Sequence, residues 1–267
     1  MKKITKILAI ITVLAMTACL FASCGKSASG TATEGVLVMA TNASFPPYEY
    51  TEGDDFAGID VEIAGLIAEE LGLELKIEDV EFGSIIGGVQ SGKFDMGMAG
   101  MTVTEERLKT VNFSDTYAKG VQSIIVKETS SFNSFDDFFE GEGDDKQVKN
   151  IKVGVQQDTT GDIYCSDTVE NGGLGTDHVI QYKTGNDAVQ ALVAGKVDAV
   201  IIDNEPAKSY VAANKGLRIL DTAYAEEDYA ICISKDNPEL LEEINSALSK
   251  LKSSGKVDEI ISKYIAA

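Results

Sequence analysis

One pattern occurs twice in the sequence, as VQSGKFDM at residues 89–96 and as LVAGKVDA at residues 192–199. In both copies an apolar helical pattern ends at Gly-Lys, and an Asp then opens an apolar strand pattern. Because Gly-Lys-x-Asp is a common joint between a helix and a strand, a chance match is the alternative explanation. As a repeat, the pair predicts two lobes that share one α/β plan.

Strand and helix patterns alternate on either side of these two stretches. Short apolar or alternating runs predict strands at residues 36–40, 73–77, 94–99 and 151–155. Apolar stripes with helical spacing cover residues 59–71, 84–91 and 238–264. Alternation of this kind is typical of α/β lobes with largely parallel sheets. The length of 267 residues suits two lobes of about 100 to 120 residues each.

The repeat also predicts where a ligand would bind. Extending the alignment beyond the Asp sets Gly100 opposite Asp203. Ligands of open α/β sheets bind beyond the carboxyl ends of the strands. If the two lobes face each other, residues 100–102 and 203–205 line opposite walls of one cleft.

The charges and the reactive residues disfavour several classes of function. Basic residues number 23 and acidic residues 43, and the formal net charge is −20. An acidic surface repels the phosphates of nucleic acids, so we expect no nucleic-acid partner. The only histidine is His178, and no residues show the spacing of a nucleophile-base pair or of metal ligands. We therefore expect a protein that is not an enzyme and that uses no metal or cofactor.

The first residues have the pattern of an export signal. Lys2, Lys3 and Lys6 precede an apolar run at residues 7–16, which is too short to span a bilayer comfortably. We therefore interpret residues 1–23 as a signal peptide, and we expect an exported protein.

Cys24 is the predicted site of lipid attachment. It follows Phe-Ala-Ser, which resembles a bacterial lipobox, and Cys19 is the competing position. We prefer Cys24 because residues 24–35 then form the anchor and a tether of small and polar residues. This arrangement predicts a lipid anchor on the outer face of the bacterial cytoplasmic membrane.

Two further features receive no functional role. Cys165 and Cys232 could be buried free thiols or could form a disulfide, because sequence alone cannot pair them. The acidic stretch near residues 133–150 lacks the spacing of a calcium-binding loop. We interpret it as a solvated surface loop.

Several polar residues near the predicted strand ends suit the charged groups of a free amino acid. Arg107 offers a planar fork for a carboxylate, although by itself it could pair with a neighbouring surface acid. The loop at residues 156–161 offers hydroxyls and backbone amides, or it simply caps a helix. Asp203 suits an ammonium group. Phe45 and Phe82 could flank the side chain of the ligand or could belong to the core.

Together these segments resemble the polar amino-acid solute-binding family of ATP-driven importers, the bacterial extracellular solute-binding proteins of family 3, in a lipoprotein form. The resemblance covers nearly the whole chain after the signal peptide. Its most specific string, TVTEER followed by FSDTY, lies within residues 88–117. The other segments that carry it are residues 40–50, 58–72, 153–162, 195–207 and 228–265.

The resemblance implies the fold of a type II periplasmic binding protein. Two Rossmann-like α/β lobes would be joined by two crossover strands, near residues 117–123 and 223–230. Lobe 1 would comprise residues 36–119 plus 229–267, and lobe 2 residues 120–228. The ligand cleft would lie between the lobes.

The resemblance also implies contacts to the ligand. Arg107 and the region of Thr102 would hold its carboxylate, with help from Thr159 and Thr160 across the cleft. Asp203 would hold its ammonium group. The full set of candidate binding residues is Asn42, Phe45, Phe82, Gly100, Met101, Thr102, Arg107, Gln156, Thr159, Thr160 and Asp203.

Two positions depart from the pattern of this family. Members that take basic amino acids often have an acid where this chain has Asn42, so we expect a ligand with an uncharged polar side chain. Asp158 occupies a position that is commonly Gly, where it could cap a helix or add negative charge. We expect no acidic ligand beside Asp158, Asp203, Glu205 and Glu49, because no spare cation is evident for a second carboxylate.

The implied function is that of an extracytoplasmic receptor. It would capture a free polar amino acid by cleft closure and deliver it to the permease of an ABC importer. We expect a monomer. The alternatives are a sensor that binds amino acids without transport and, last, a dehydratase-like enzyme on the same fold.

Overall fold

The structure is a computed structural model that describes residues 30–141, 143–221 and 224–265. The predicted signal peptide at residues 1–23 and the predicted lipidation site Cys24 lie outside the described residues. Among the helices that are described, none has the length and apolar character needed to cross a membrane.

The described residues alternate between strands and helices. The strands are β1 (Val36–Thr41), β2 (Ser44–Phe45), β3 (Glu49–Glu52), β4 (Asp55–Ala57), β5 (Glu74–Asp79), β6 (Met96–Gly97), β7 (Val111–Phe113), β8 (Ala118–Lys127), β9 (Phe139–Glu140), β10 (Gln147–Val148), β11 (Val153–Gln156), β12 (Val179–Tyr182), β13 (Ala199–Asp203), β14 (Leu217–Ile219), β15 (Ala225–Tyr229) and β16 (Cys232–Ser234). The α-helices are α1 (Ile59–Leu71), α2 (Ile85–Gln90), α3 (Glu105–Thr110), α4 (Thr160–Ser166), α5 (Gly185–Val193), α6 (Asn204–Ala213), α7 (Pro238–Ser253) and α8 (Lys256–Tyr264). Short 3₁₀ turns cover Phe82–Ser84, Phe135–Phe138, Gly143–Asp145, Val169–Asn171 and Thr176–His178.

Two main sheets organise the chain, and we name lobe 1 and lobe 2 after them. Lobe 1 is built on a five-stranded sheet in the order β5-β1-β6-β16-β7. Lobe 2 is built on a six-stranded sheet along the path β12-β11-β13-β8-β14, with β15 also paired to β8. In lobe 1 only β16 runs opposite to the other strands, and in lobe 2 only β8 does. The sheets are therefore largely parallel in strand direction, and the one reversed strand in each belongs to a passage between the lobes: β8 makes the first passage, and β16 follows the second.

Two strands connect the lobes. β8 carries the chain into lobe 2 and β15 carries it back, at the crossovers that the resemblance implied. They pair antiparallel, with Gly120 opposite Glu227 and Ala118 opposite Tyr229. The predicted lobe boundaries near residues 119 and 228 stay a prediction.

The two copies of the repeated pattern form the same joint in both lobes. Their glycines follow the helices with φ of 74° and 72°, in the left-handed region that favours glycine. In lobe 1 the carboxylate of Asp95 accepts a hydrogen bond from the backbone N–H of Val38 at 2.7 Å. In lobe 2 Asp198 accepts one from the N–H of Lys152 at 2.8 Å. In each lobe this hydrogen bond therefore links the end of the repeated pattern to the neighbouring parallel strand, β1 in lobe 1 and β11 in lobe 2.

Most predicted elements form, with differences at their ends. The helix predicted at residues 59–71 is confirmed as α1, and Gly72 ends it with a φ of 71°. The helical pattern at residues 238–264 forms two helices, α7 and α8, because Gly255 between them adopts a φ of 77°. The strand predicted at residues 94–99 pairs with its neighbours only along β6.

The core of lobe 1 lies between its sheet and the helices that cover it. α1 buries Ile63 and Ile67 completely, and α7 does the same with Leu248. These side chains share one apolar cluster with Leu37 and Met39 of β1. The helical stripes that were visible in the sequence therefore face the sheet.

The two cysteines in the described residues are free thiols, and both are buried. Cys165 lies in a cluster of lobe 2 and Cys232 in a cluster of lobe 1, so no disulfide joins them. Burial raises the pKa of both thiols to about 12. They therefore stay protonated and inert at neutral pH.

The structure corrects the prediction of a solvated surface loop near residues 133–150. This segment contains the hairpin of β9 and β10. Phe138 is fully buried in the core of lobe 2, where its ring contacts Phe132 and Phe135. The acidic residues suggested a solvated loop, but the packing of three aromatic side chains, and not the charges, decides where the segment lies.

Gly120 allows close packing at the crossover strands. A Cβ at this position would lie 2.3 Å from the ring of Tyr229, which is fully buried. Because that ring has no room to move away, we expect Gly120→Ala to lower the free energy of unfolding by about 1–3 kcal/mol. The control is Gly87→Ala on α2, where an added Cβ meets nothing within 4 Å. Urea denaturation followed by circular dichroism compares the two variants, and equal stabilities would contradict the packing argument.

Candidate ligand-binding site

A cavity lies between the two lobes, beyond the carboxyl ends of parallel strands from both sheets. Its empty space, part of which is open to solvent, measures about 310 Å³. The residues that line it are Asn42, Phe45, Glu49, Phe82, Ala99, Gly100, Thr102, Arg107, Gln156, Thr159, Thr160 and Asp203. Both lobes therefore contribute to the walls, as expected for a cleft that closes around a ligand.

The structure brings together all candidate binding residues except Met101. Met101 is fully buried in the core of lobe 1, whereas its neighbours Gly100 and Thr102 line the cavity. Alternate residues of an extended segment point to opposite sides, which explains the difference. Glu49 and Ala99 also line the cavity and were not among the candidates. That the lining residues contact a ligand stays a prediction.

Arg107 is a buried cation on the wall that lobe 1 provides. The hydroxyl of Thr104 caps α3 by accepting from the backbone N–H of Arg107 at 3.2 Å. The guanidinium donates to the carbonyls of Thr102 at 2.8 Å and Asp158 at 3.0 Å, and it lies 5.3 Å from the ring centre of Phe82. None of the ion pairs among the described residues involves it. A buried guanidinium with only neutral partners favours an anion at its remaining donors.

Asp203 stands on the opposite wall, at the carboxyl end of β13. Its carboxylate accepts hydrogen bonds from the amide of Gln122 at 2.8 Å and from the hydroxyl of Tyr229. Burial, and then the negative charge of Glu227, raise the pKa of Asp203 to about 7. A positive group placed beside it would offset both effects, so this wall favours a cation.

Two more carboxyl groups lie buried beside the cavity. Glu49 lines it, is 1% exposed, and has one oxygen without a hydrogen-bond partner among the described residues. Asp60 of α1 accepts from the backbone N–H of Gly100 at 2.8 Å and from the hydroxyl of Tyr117 at 2.9 Å. Burial raises the pKa of Asp60 to about 6. Burial, with added repulsion from Asp60, also raises the pKa of Glu49 well above its usual range.

Neither Glu49 nor Asp60 was among the candidate binding residues, although Glu49 was named as an acid beside the ligand. A signal existed for Asp60, which is an acid on the buried stripe of α1 between Ile59 and Ile63. Glu49 begins the short strand β3, and its inward direction follows from the pairing of β3 with β2. No local pattern reveals that pairing.

Hydrogen bonds across the cleft hold the lobes together. The amide nitrogen of Gln156 donates to the side-chain oxygen of Asn42 at 2.9 Å. The amide nitrogen of Asn42 donates to the carbonyl of Val80 at 2.8 Å, so both ends of this side chain have partners. Further cross-cleft bonds join Lys183 to Glu81 and the hydroxyl of Tyr210 to the carbonyl of Ser44. The structure therefore shows the lobes in a closed arrangement.

Asp158 occupies the position where the resembling family commonly has Gly. Its φ is 64°, and no other non-glycine residue in the described ranges has a positive φ, which explains why glycine suits the position. Its carbonyl accepts the hydrogen bond from Arg107, while the hydroxyl of Thr159 caps α4. Asp158 therefore presents its backbone to the guanidinium, and it is not the helix cap that was one of its two predicted roles.

Comparison with known proteins identifies the family. The family described as bacterial extracellular solute-binding proteins, family 3, matches residues 37–267. The chain belongs to this family. The arginine-binding extracellular protein ArtP of Bacillus subtilis (strain 168) is 32% identical over 246 residues, which cover 91% of each chain.

Solved structures of family relatives share the fold. An ancestral arginine-binding protein bound to glutamine is 36% identical with a TM-score of 0.77, over 88% of this chain and 100% of the other. A structure of an ancestral arginine-binding protein bound to arginine gives the same identity and TM-score, over 87% and 99%. The ancestral amino acid-binding protein AncCDT-1, described as a precursor of cyclohexadienyl dehydratase, is 30% identical with a TM-score of 0.75, over 86% and 95%.

These similarities confirm three predictions: the family, the type II periplasmic binding protein fold with two α/β lobes, and the role of a substrate-binding receptor. Members of this family are extracellular solute-binding proteins, so the chain is an exported binding protein. His178 lies away from the cavity, with its Nδ1 3.1 Å from the carbonyl of Ile151.

The raised pKa of Asp60 makes the stability of the ligand-free protein depend on pH. The native carboxyl, which faces Glu49 and Tyr117, keeps its proton up to about pH 6, whereas an unfolded chain releases it near about pH 4. The contribution of Asp60 to the free energy of unfolding therefore falls as pH rises between these values and is level above them, a loss of about 2–3 kcal/mol. We expect Asp60→Asn to remove this loss, because the amide oxygen can accept the same hydrogen bonds.

Urea denaturation of wild type and Asp60→Asn from pH 4 to 8 measures this effect. The difference between the two curves should grow up to about pH 6 and then stay constant. The control is Asp54→Asn at an exposed position, which should follow the wild-type curve. Parallel curves for wild type and Asp60→Asn would show that this carboxyl has no raised pKa.

Proposed function

We propose that this protein is an extracytoplasmic receptor that closes its lobes around one free amino acid and passes it to the permease of an ABC importer. The observation that carries the proposal is the buried guanidinium of Arg107, which lines the cavity with only neutral partners. Opposite it stands the buried carboxyl of Asp203. A zwitterion with a carboxylate and an ammonium group supplies the missing charge to each wall.

The head group of the amino acid would be recognised from both lobes. The fork of Arg107 is suited to both carboxylate oxygens, and the hydroxyls of Thr102, Thr159 and Thr160 stand on the same cavity wall or across from it. The ammonium group would ionise Asp203, whose pKa of about 7 reflects burial without a cation. Because the ligand touches both lobes only when they are closed, binding favours the closed form.

For the side chain of the ligand we propose a basic group, with arginine as the first candidate. Glu49 supports this choice because it lines the cavity, is buried, and forms no ion pair with any of the described residues. Asp60 adds a second buried carboxyl, and Arg107 is the one cation that the described residues contribute to the cavity wall. A buried carboxyl with a raised pKa favours a cationic partner, which would restore its charge. The relatives named as arginine-binding proteins support the same choice.

An uncharged polar side chain, as expected from Asn42, is the second candidate. Asn42 is neutral, and its amide is already engaged by Gln156 and Val80. A ligand amide needs no charged partner at this position. The ancestral arginine-binding protein that was solved with glutamine supports keeping this candidate.

We also propose the finer features of localisation and assembly. Acylation of Cys24, or of Cys19 as the competing site, would anchor the exported protein by lipid to the outer face of the cytoplasmic membrane. The receptor would act as a monomer, with lobe 1 comprising residues 36–119 plus 229–267 and lobe 2 residues 120–228.

Thermal unfolding with a panel of free amino acids tests the proposed function. A ligand at a hundredfold its dissociation constant adds about 2.7 kcal/mol to stability, which raises the melting temperature by several degrees. We expect such a shift for wild type and no shift for Arg107→Ala, because an unpaired carboxylate in a closed cavity costs several kcal/mol. Arg218→Ala is the matched control, since this second arginine also donates to backbone carbonyls but lies on β14 and outside the cavity wall.

Two results would decide against the proposal. A folded Arg107→Ala that keeps its shift would remove the basis for the carboxylate site. A wild-type protein without any shift, after removal of co-purified ligand by unfolding and refolding, would show that the ligand is not an amino acid. Conversion of the added amino acid or of a cyclic precursor, followed by chromatography, would favour the dehydratase alternative.

Glu49→Gln separates the two side-chain candidates. If the ligand carries a cation, this variant should lose about 2 kcal/mol or more of affinity for arginine and much less for glutamine. Glu52→Gln is the control, because it removes the same charge from an exposed position of the same strand. Titration calorimetry gives both affinities for each variant. An equal loss for both ligands would argue that Glu49 does not contact the side chain of the ligand.

A further inference from the structure

The second crossover strand carries a buried carboxylate, Glu227, that does not line the cavity and has no ion-pair partner among the described residues. Glu227 of β15 is 6% exposed, while its neighbours Glu226 and Asp228 are exposed, as the alternation of a strand dictates. Its carboxylate lies near the hydroxyl of Tyr164, but one of its buried oxygens accepts no hydrogen bond of good geometry in the described part of the chain. Burying a carboxylate in this way costs stability, so packing alone does not explain the residue.

The other oxygen of Glu227 accepts two hydrogen bonds. The hydroxyl of Thr102 donates to it at 3.0 Å, and the amide of Gln122 donates to it at 3.0 Å. Thr102 belongs to lobe 1, and Gln122 lies on β8, the first crossover strand. A single atom therefore joins both crossover strands to lobe 1.

Each of these two donors also holds a residue of the proposed ligand site. The carbonyl of Thr102 accepts from the guanidinium of Arg107 at 2.8 Å. The amide of Gln122 donates to the carboxylate of Asp203 at 2.8 Å. Glu227 is thus linked through one residue to the cation on one wall and through one residue to the anion on the other.

The charge of Glu227 acts on the same two residues. Burial lowers the pKa of Arg107, and the negative charge of Glu227 is the strongest influence that opposes this effect. The same charge raises the pKa of Asp203. Both effects show that the carboxylate lies close to both ends of the site, although it does not line the cavity.

We propose that Glu227 is a positioning residue that couples the crossover strands to the head-group site: through Thr102 and Gln122 it sets Arg107 and Asp203 at their separation in the closed form. The inference rests on the proposed function, because the two residues that it positions are those proposed to hold the amino acid. Since every amino acid shares this head group, Glu227 should affect all ligands equally.

Titration calorimetry of the full chain with L-arginine and L-glutamine tests the inference. We expect Glu227→Ala to weaken both ligands by the same factor, about tenfold to a hundredfold, because two buried donors lose their acceptor. Glu227→Gln should recover most of the affinity, since its amide oxygen can accept both hydrogen bonds. Glu226→Ala is the matched control, with the same charge removed from an exposed position of β15, and should bind like wild type.

Provided that the wild-type protein binds both amino acids, any of three results for the variants would overturn the inference. These are unchanged affinity in a folded Glu227→Ala, a loss confined to one of the two ligands, or a Glu227→Gln as weak as Glu227→Ala. If Glu227→Ala does not fold, Gln122→Leu removes one of the two donors and should give part of the loss, again equally for both ligands. A wild type that binds no amino acid overturns the proposed function itself, which keeps the two failures distinct.

Discussion

The buried positive charge of Arg107 is the constraint around which the site is arranged. Its partners are two backbone carbonyls and an aromatic face, all neutral, in a closed cavity. On the opposite wall, Asp203 has a pKa raised by burial, and so does Glu49, which lies on the same lobe as Arg107. Among the described residues, neither Arg107 nor Asp203 takes part in an ion pair, so a ligand that carries both signs relieves the desolvation of both groups at once. Recognition and closure are therefore one event.

Direct hydrogen bonds between the two lobes also stabilise the closed arrangement, and they do not involve the charges of Arg107 and Asp203. Gln156 reaches Asn42 across the cleft, and Lys183 reaches Glu81 at an exposed position. Such bonds lower the free energy of the closed form without a ligand, and the ligand then shifts the equilibrium by its differential contacts with the two forms. The crossover strands β8 and β15 take part in the same network through their buried polar side chains.

Prediction from sequence succeeded where local spacing carries the information. α1 was predicted with its observed bounds, because its stripe is apolar and Gly72 ends it. The repeat set Gly100 opposite Asp203, and both line one cavity. Met101 failed as a candidate because residue identity does not show which side of an extended segment faces the cleft. The one reversed strand in each sheet was not predicted, because its direction depends on how the chain passes between the lobes.

The sequence by itself determined the two α/β lobes through periodicity, and it determined the family through short motifs, whose resemblance to that family implied nearly all residues of the cavity wall. Only the tertiary structure decided which carboxyl groups are buried beside the cavity and which hydrogen bonds cross it. Glu49, Asp60 and Glu227 come from separate segments, and the sequence does not show that they meet around one site. Their chemistry arises from burial and mutual proximity, and both are set when the lobes and the crossover strands come together in space.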